Sequence, residues 1–122
     1  MAKQEDADQH FGYAVDIARD ALKSLLWINA GAAGALIALT GKESGANNYT
    51  HAIILFGIGA VLTVASYVFG YFSQLEYGNY RLTGEETKQK NHCKLQAVAI
   101  TFMLIGLICA IAGMAVAYRA TN

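Results

Sequence analysis

Three long stretches of the chain carry no charged residue. They cover residues 24–41, 44–75 and 95–118, which is 18, 32 and 24 residues. A helix needs about 20 predominantly apolar residues to cross the hydrocarbon core of a bilayer, which is roughly 30 Å thick. The second and third stretches exceed that length and the first approaches it. The pattern therefore predicts three membrane-spanning α-helices.

The segment before the first stretch has the pattern of an amphipathic helix. Its apolar positions recur at steps of three and four, and charges fall between them: Phe11, Ala14, Val15, Ala18, Leu22 and Leu25 against Asp16, Arg19, Asp20 and Lys23. We predict one helix over 8–40, with Asp6 or Asp8 as its N-cap. The amphipathic part either packs against the other helices or lies in the membrane interface. Its polar face is as acidic as it is basic, which favours packing.

The other two helices are bounded by turn and capping residues. The Gly-Lys-Glu-Ser-Gly run at 41–45 ends the first helix, and Asn47 or Asn48 caps a second helix over 48–81. Thr83 followed by Glu86 matches the capping box, so the third helix is predicted over 84–118. The expected fold is all-α: a single transmembrane domain over 1–122, in which a three-helix bundle extends long helices into the cytoplasm. A buried helical hairpin in a soluble protein is the alternative, but few polar residues remain to cover it.

Charge distribution predicts the orientation of the bundle. Three crossings put the N-terminus and the 76–94 connection on one side, which carries seven of the nine basic residues. Cytoplasmic loops are enriched in Lys and Arg, so we expect a cytoplasmic N-terminus and a periplasmic C-terminus. The acidic start of the chain is unlike a signal peptide, and the first span is expected to be retained. The two groups of basic residues are Lys3, Arg19, Lys23, Arg81, Lys88, Lys90 and Lys94 against Lys42 and Arg119.

Small residues form a seam along each predicted span at steps of three and four. Such seams let membrane helices approach closely. They face either the centre of the bundle or a neighbouring copy or partner subunit, and a three-helix bundle is thin, so we expect an oligomer or a complex. The seams are Gly31, Gly34, Ala38 and Gly41 in helix one, Gly59, Thr63, Ser66 and Gly70 in helix two, and Gly106, Ala110, Gly113 and Ala117 in helix three.

Polar chemistry is sparse inside the predicted spans. The two long spans contain no Asp, Glu, Lys or Arg, and an intramembrane ionisable residue is the usual mark of a transport or proton pathway. Asn29 is the most polar side chain of the first span. We expect it to hydrogen-bond to Ser66, Thr63 or the Asn29 of another copy as structural glue. The alternative is that Asn29, Thr63, Ser66 and Thr101 line a weakly polar pore.

Catalytic, metal and nucleic-acid sites are not expected. His10, His51 and His92 are scattered, and no pair has metal-ligand spacing on one helix. A packing role suits His92 better than a shared site with His10. No nucleotide loop, nucleophile elbow or catalytic carboxylate pair occurs, so neither an enzyme nor a cofactor is predicted. A net charge of zero gives no footprint for nucleic acid.

The stretch Leu-Leu-Trp-Ile-Asn-Ala-Gly-Ala-Ala-Gly-Ala-Leu at 25–36 resembles the first span of a group of small bacterial three-helix inner-membrane proteins. The resemblance implies a bacterial or phage origin and an inner-membrane location, and it implies no activity. Three-span phage holins are similar in size and low charge. This chain departs from them in lacking a basic C-terminal tail and in its predicted cytoplasmic N-terminus.

Three functional hypotheses follow. The first is a non-catalytic membrane protein that acts by helix–helix assembly, as a homo-oligomer or as an accessory subunit of a membrane complex. The second is a homo-oligomeric pore, holin-like or a defence effector, that depolarises the membrane. The third is a small transporter or lipid-binding protein that uses a cleft among its helices. The expected partners are membrane lipids and either copies of this chain or other membrane subunits.

Overall fold

Three long helices make up the fold. The computed structural model describes the backbone of residues 2–41 and 49–121 and the side chains of residues 12–41 and 49–121. The helices are α1 (Ala2–Thr40), α2 (Thr50–Thr83) and α3 (Glu86–Thr121), and no strand occurs in these ranges. Each helix contains a segment long and apolar enough to cross a membrane: Gly12–Thr40, Thr50–Thr83 and Glu86–Thr121. The structure thus confirms the coarser part of the prediction, an all-helical fold with three helices long and apolar enough to span a membrane.

The helices run up, down and up, and α2 and α3 form the central hairpin. Ser66 of α2 contacts Ala99 of α3, and Ser73 contacts His92, so residue numbers fall on one helix as they rise on the other. The buried residues of α2 follow each other at steps of three, four or seven: Ala52, Phe56, Gly59, Thr63, Ser66 and Ser73. That spacing is typical of a left-handed helix pair. Helix α1 packs mainly on α2 and touches α3 over a smaller area.

The turn between α2 and α3 differs from the predicted capping box. Helix α2 continues to Thr83, and Gly84 ends it in the left-handed region (φ 71°), with its N–H donating to the carbonyl of Tyr80 at 2.8 Å. A right-handed α-helix requires a negative φ, so Gly84 cannot be the first residue of α3, which starts at Glu86. The positive φ is favourable for glycine, which explains the residue found at this turn. The Thr83 hydroxyl accepts the N–H of Glu85 at 3.3 Å and donates to Asn79.

The outer ends of the helices differ from the prediction in smaller ways. Helix α1 is already helical at Ala2, so neither Asp6 nor Asp8 is its N-cap. Residues 2–7 are mostly strong helix formers, which explains the longer helix. Helix α2 begins at Thr50, after Tyr49. The predicted caps Asn47 and Asn48, and the loop residues from Lys42 to Gly45, lie outside the described residues.

Burial is inverted relative to a soluble protein. The largest fully buried side chains are Asn29, Thr63, Ser66 and Ser73, and all four are polar. Large aliphatic side chains instead cover the outer surface, such as Ile54, Val61 and Ile108, which are 53%, 69% and 62% exposed. Soluble monomers rarely expose apolar patches beyond a few hundred Å². In lipid this surface is well solvated, while the small and polar residues are those that helices use to pack together.

Candidate functional site

Asn29 is the point where the three helices meet. Its side chain is fully buried, and its Nδ2 donates to the carbonyl of Leu25 on the same helix at 3.0 Å. The same Nδ2 makes a longer contact of 3.5 Å with the carbonyl of Gly106 on α3. On the α2 side, the amide lies directly against Gly59. One side chain of α1 therefore contacts both helices of the hairpin.

Glycine at 59 and 106 makes room for this contact. A Cβ added to Gly59 would overlap Asn29 Oδ1 and come within 2.7 Å of Asn29 Cγ. A Cβ added to Gly106 would lie 3.2 Å from Thr63 Oγ1 and 3.3 Å from the Gly59 carbonyl oxygen. The backbones of α2 and α3 thus approach each other closely at the level where Asn29 enters. We call Asn29, Gly59, Thr63 and Gly106 the Asn29 cluster.

The hydrogen bonds of Asn29 differ from those expected from the sequence. Neither Thr63 nor Ser66 pairs with it; both hydroxyls donate to carbonyl oxygens, Thr63 to Gly59 at 2.7 Å and Ser66 to Ala99 at 2.7 Å. The Thr63 bond is the i−4 back-bond that is common for hydroxyls in membrane helices, whereas the Ser66 bond joins α2 to α3. Asn29 Oδ1 is buried and has no hydrogen-bond partner among the described residues.

A second polar contact joins α2 and α3 nearer the hairpin turn. His92 is 8% exposed, and its Nδ1 lies 2.8 Å from both the hydroxyl and the carbonyl oxygen of Ser73. The Ser73 hydroxyl also lies 3.1 Å from the His92 carbonyl oxygen. The Tyr77 ring packs 5.0 Å from the imidazole, between ring centroids. His92 thus occupies an interhelix position, which is the packing role that the sequence favoured.

The remaining predicted seam residues of α2 and α3 divide between the interface and its edge. Ala110 and Gly113 are buried on α3, where the ring of Phe56 packs against Gly113. Gly70 is half-buried. Ala117, the last seam residue of α3, is half-buried. Thr101, which was predicted to line a pore and not to belong to a seam, is exposed, and its hydroxyl donates to the carbonyl of Ala97 at 2.8 Å.

The predicted seam of α1 faces away from the hairpin. Gly31, Gly34 and Ala38 are all exposed. A Cβ added at Gly31 or Gly34 would meet nothing within 4 Å. Helix α1 instead contacts the hairpin through Leu25 and Asn29, together with the half-buried residues Ala32, Ala33 and Leu36. We call the exposed residues Gly31, Gly34 and Ala38 the stripe on α1. Its two glycines do not contact the other described residues of the protomer.

A cleft of about 560 Å³ separates the first half of α1 from the hairpin. Its walls are residues 14–22 of α1, 66–74 of α2 and 96–103 of α3. Most of the lining is apolar. The hydroxyl of Tyr67 crosses between the walls and donates to the carbonyl of Arg19 at 3.0 Å. This volume is within the range of small-molecule sites, which is about 300–1,000 Å³.

Groups suited to metal or covalent chemistry are dispersed. Residues 12–41 and 49–121 contain no cluster of three His, Cys, Asp or Glu side chains that could hold a metal ion. Cys93 and Cys109 are both free thiols. Near the turn, Lys88 pairs with Glu76 at 3.7 Å and joins α3 to α2. In the described part of the chain, the features that remain as candidate sites are therefore the Asn29 cluster, the stripe on α1 and the cleft.

Sequence reasoning missed Ser73, and its third hypothesis named a cleft among the helices without locating it. The spacing of Ser66, Gly70 and Ser73 continues the small-residue seam of α2, and His92 lies seven residues before the buried Ala99, so the pair could have been found. The cleft had no such signal, because it depends on the angle at which α1 leaves the hairpin. No protein-family model, curated protein or solved structure matches this chain.

Proposed function

We propose that this chain is a non-catalytic membrane protein that acts by helix–helix assembly through the outer face of α1, as a homo-oligomer or as an accessory subunit of a membrane complex. The observation that carries the proposal is the position of Gly31 and Gly34. Both face outward, and a Cβ added at either would meet nothing within 4 Å, so packing within the protomer does not require glycine there.

The composition of the outer face of α1 supports an apposed helix. Ala30, Gly34 and Ala38 are exposed at steps of four, which is the small-xxx-small arrangement of close membrane helix pairs. Lipid contact by itself does not require small side chains, and the outer faces of α2 and α3 carry mainly Ile, Val and Leu. The stripe is bordered by Trp27 and Ile37, which are 77% and 56% exposed and are available to pack around a neighbouring helix.

Cysteine cross-linking in native membranes tests the proposal. Gly34→Cys is made in a chain whose own Cys93 and Cys109 are replaced by Ala, with Ile108→Cys as the matched control on the outer face of α3. We expect oxidation to give a dimer, or an adduct with another membrane protein, at position 34 and not at 108. Mass spectrometry of the product separates a second copy from a partner subunit. A chain that stays a monomer at both positions would refute assembly through α1.

We propose the bacterial inner membrane as the location, with the N-terminus in the cytoplasm. The unequal distribution of Lys and Arg and the resemblance at 25–36 support this. The polar ends of the helices then extend into the cytoplasm, and the amphipathic part of α1 faces the hairpin across the cleft, held there by the Tyr67–Arg19 hydrogen bond. A membrane-impermeant maleimide should label the exposed Cys93 in inside-out vesicles and not in intact spheroplasts. Labelling in intact spheroplasts would instead show that Cys93, and with it the N-terminus, lies on the periplasmic side.

The pore remains an alternative with less support. Asn29, Thr63 and Ser66 would have to line a lumen, but in the protomer they are buried between helices and bonded to carbonyl oxygens. Membrane-potential dyes after induced expression test it. A pore predicts depolarisation that Asn29→Leu abolishes. The lipid-binding or transport alternative draws on the cleft.

A further inference from the structure

We propose that the cleft between α1 and the hairpin binds one membrane phospholipid, with an acyl chain between the helices and the phosphodiester headgroup at the end nearest Gln74 and Gln96. This inference deepens the lipid-binding alternative and does not depend on assembly through the outer face of α1. Its evidence is the polarity of the cleft from one end to the other, its position along the spans and its unpaired amides.

Polarity changes along the cleft in the direction that an amphiphile requires. On α2 the lining starts at Gln74, one residue before the charge-free stretch 44–75 ends, and continues through Gly70 toward the Asn29 cluster. On α3 it starts at Gln96, beside the charged Lys94, and continues to Met103. The stretch from 66 to 74 corresponds to about 12 Å along the helix axis. The cleft therefore leads from the level of the first charged residues into the charge-free core.

The polar groups deeper in the cleft bond to the protein, while the exposed amides at the mouth do not. Ser66 and Ser73 bond to the hairpin, and Tyr67 bonds to Arg19. The amides of Gln74 and Gln96 line the cleft from two helices, and neither has a hydrogen-bond partner in the described ranges 12–41 and 49–121. An apolar cavity with a few convergent polar groups is the usual form of a small-molecule site.

Charge on the α1 wall of the cleft fits a phosphodiester. Arg19 lines this wall, where its carbonyl accepts from Tyr67, and its guanidinium contacts only the exposed carboxylate of Asp16, at 3.4 Å, among the ion pairs of the described chain. An exposed pair at that spacing is weak, so the guanidinium can also bind an anion. The next cation along α1, Lys23, pairs with Asp20 at 3.5 Å and does not line the cleft. Arg19 on α1 and the amide groups of Gln74 on α2 and Gln96 on α3 thus provide hydrogen-bond donors on all three walls of a mainly apolar cleft.

Native mass spectrometry of the full chain tests the site. The protein is released from vesicles made of equal amounts of phosphatidylglycerol and phosphatidylcholine, and the lipids retained per protomer are counted. We expect one retained lipid per protomer and a preference for phosphatidylglycerol. Gly70→Leu should lower retention about tenfold, because a Cβ there has open space and the rest of the side chain fills the cleft.

Matched variants separate a specific site from the general lipid shell. Gly57→Leu is the same change on the same helix, also with open space at its Cβ but outside the cleft, and should retain lipid as the unmodified chain does. Ala18→Leu fills the cleft from the α1 wall and should reproduce Gly70→Leu. Equal retention in all three variants, with helicity intact by circular dichroism, would mean annular lipid only and would overturn the proposal.

Headgroup variants and a phosphate control complete the test. Arg19→Gln should lower the preference for phosphatidylglycerol about threefold, whereas Lys23→Gln should leave it unchanged. Inorganic phosphate should not displace the lipid, and displacement by phosphate would make the mouth a free-anion site and overturn the lipid assignment. Gly34→Leu, which is expected to weaken assembly, should still retain lipid. Failure of assembly and failure of lipid binding are therefore distinguishable.

Discussion

Three glycines at the helix contacts of the hairpin and two glycines of α1 look alike in the sequence and differ in their surroundings, although the hairpin also has glycines in open space at 57, 70 and 78. Gly59, Gly106 and Gly113 lie where an added Cβ would meet another helix at 3.3 Å or less. Gly31 and Gly34 face open space. The first group is explained by the protomer itself, since larger residues would push its helices apart. The second group has no such explanation within the described protomer, and this difference is the basis of the assembly proposal.

Gly59→Ala should have the largest effect on stability. The added methyl overlaps the amide of Asn29, which is fully buried and cannot turn away, so α1 must shift. We expect a loss of about 3 kcal/mol in the free energy of unfolding, measured by denaturation in mild detergent. The double variant Gly59→Ala/Asn29→Ala is the control and should recover part of the loss. No recovery would show that the overlap with Asn29 is not the cause.

Gly113→Ala should have the next largest effect. Its methyl would lie 3.0 Å from two atoms of the Phe56 ring, and this ring is 2% exposed. The expected loss is about 1 kcal/mol, because the ring has to give way by only a few tenths of an ångström. Phe56→Leu in the same background should reduce the difference between Gly and Ala at 113. An unchanged difference would contradict the contact as its source.

Gly106→Ala should have a smaller effect. The nearest atoms to the added methyl would be Thr63 Oγ1 at 3.2 Å and the Gly59 carbonyl oxygen at 3.3 Å. Alanine also favours a helix over glycine by about 0.5–1 kcal/mol, which offsets part of the crowding. We expect a net loss of about 0.5 kcal/mol in the same denaturation assay. In a Thr63→Ala background, Gly106→Ala should no longer lower the free energy of unfolding. If it still does, the crowding comes from the Gly59 carbonyl oxygen and not from Thr63.

Gly34→Ala should cause no loss of stability in the protomer. Its methyl enters open space, so only the helix preference of alanine over glycine acts, and we expect a gain of about 0.5–1 kcal/mol, measured under conditions where the chain is monomeric. Gly34→Leu should be equally tolerated there, yet it should lower cross-linking of the assembled form because it separates apposed helices. Destabilisation of the monomer by either variant would show that this face packs within the protomer. The two groups of glycines would then no longer differ, and the assembly proposal would lose its basis.

The sequence predicted the seams better than their partners. On α2 and α3, steps of three and four identified eight residues, of which Gly70 and Ala117 are half-buried and six are buried: Gly59, Thr63, Ser66, Gly106, Ala110 and Gly113. On α1 the same rule selected Gly31 and Gly34, which are exposed, while the contact is made by Leu25 and Asn29. Helix α1 has small residues on more than one side. Spacing alone therefore could not indicate which side meets the hairpin.

Local capping signals were a second source of difference. The Thr83–Glu86 pair indicated a helix start near the position where α3 begins, but Gly84 belongs to the end of α2. Residues around a tight turn serve two helices at once, and a capping pattern does not say which helix receives each one. The positive φ of Gly84 decides this, and it is a property of the folded turn.

Charge-free length and helical spacing were sufficient for the three helices and their candidate spans, because both depend on residues close together in the chain. Three features were decided only by the tertiary structure: the insertion of Asn29 between Gly59 and Gly106, the exposure of the α1 stripe and the opening of the cleft. Each depends on the rotation and tilt of α1 against a hairpin that is distant in sequence. Those two angles follow from close contacts among all three helices, so no local pattern in the sequence encodes them.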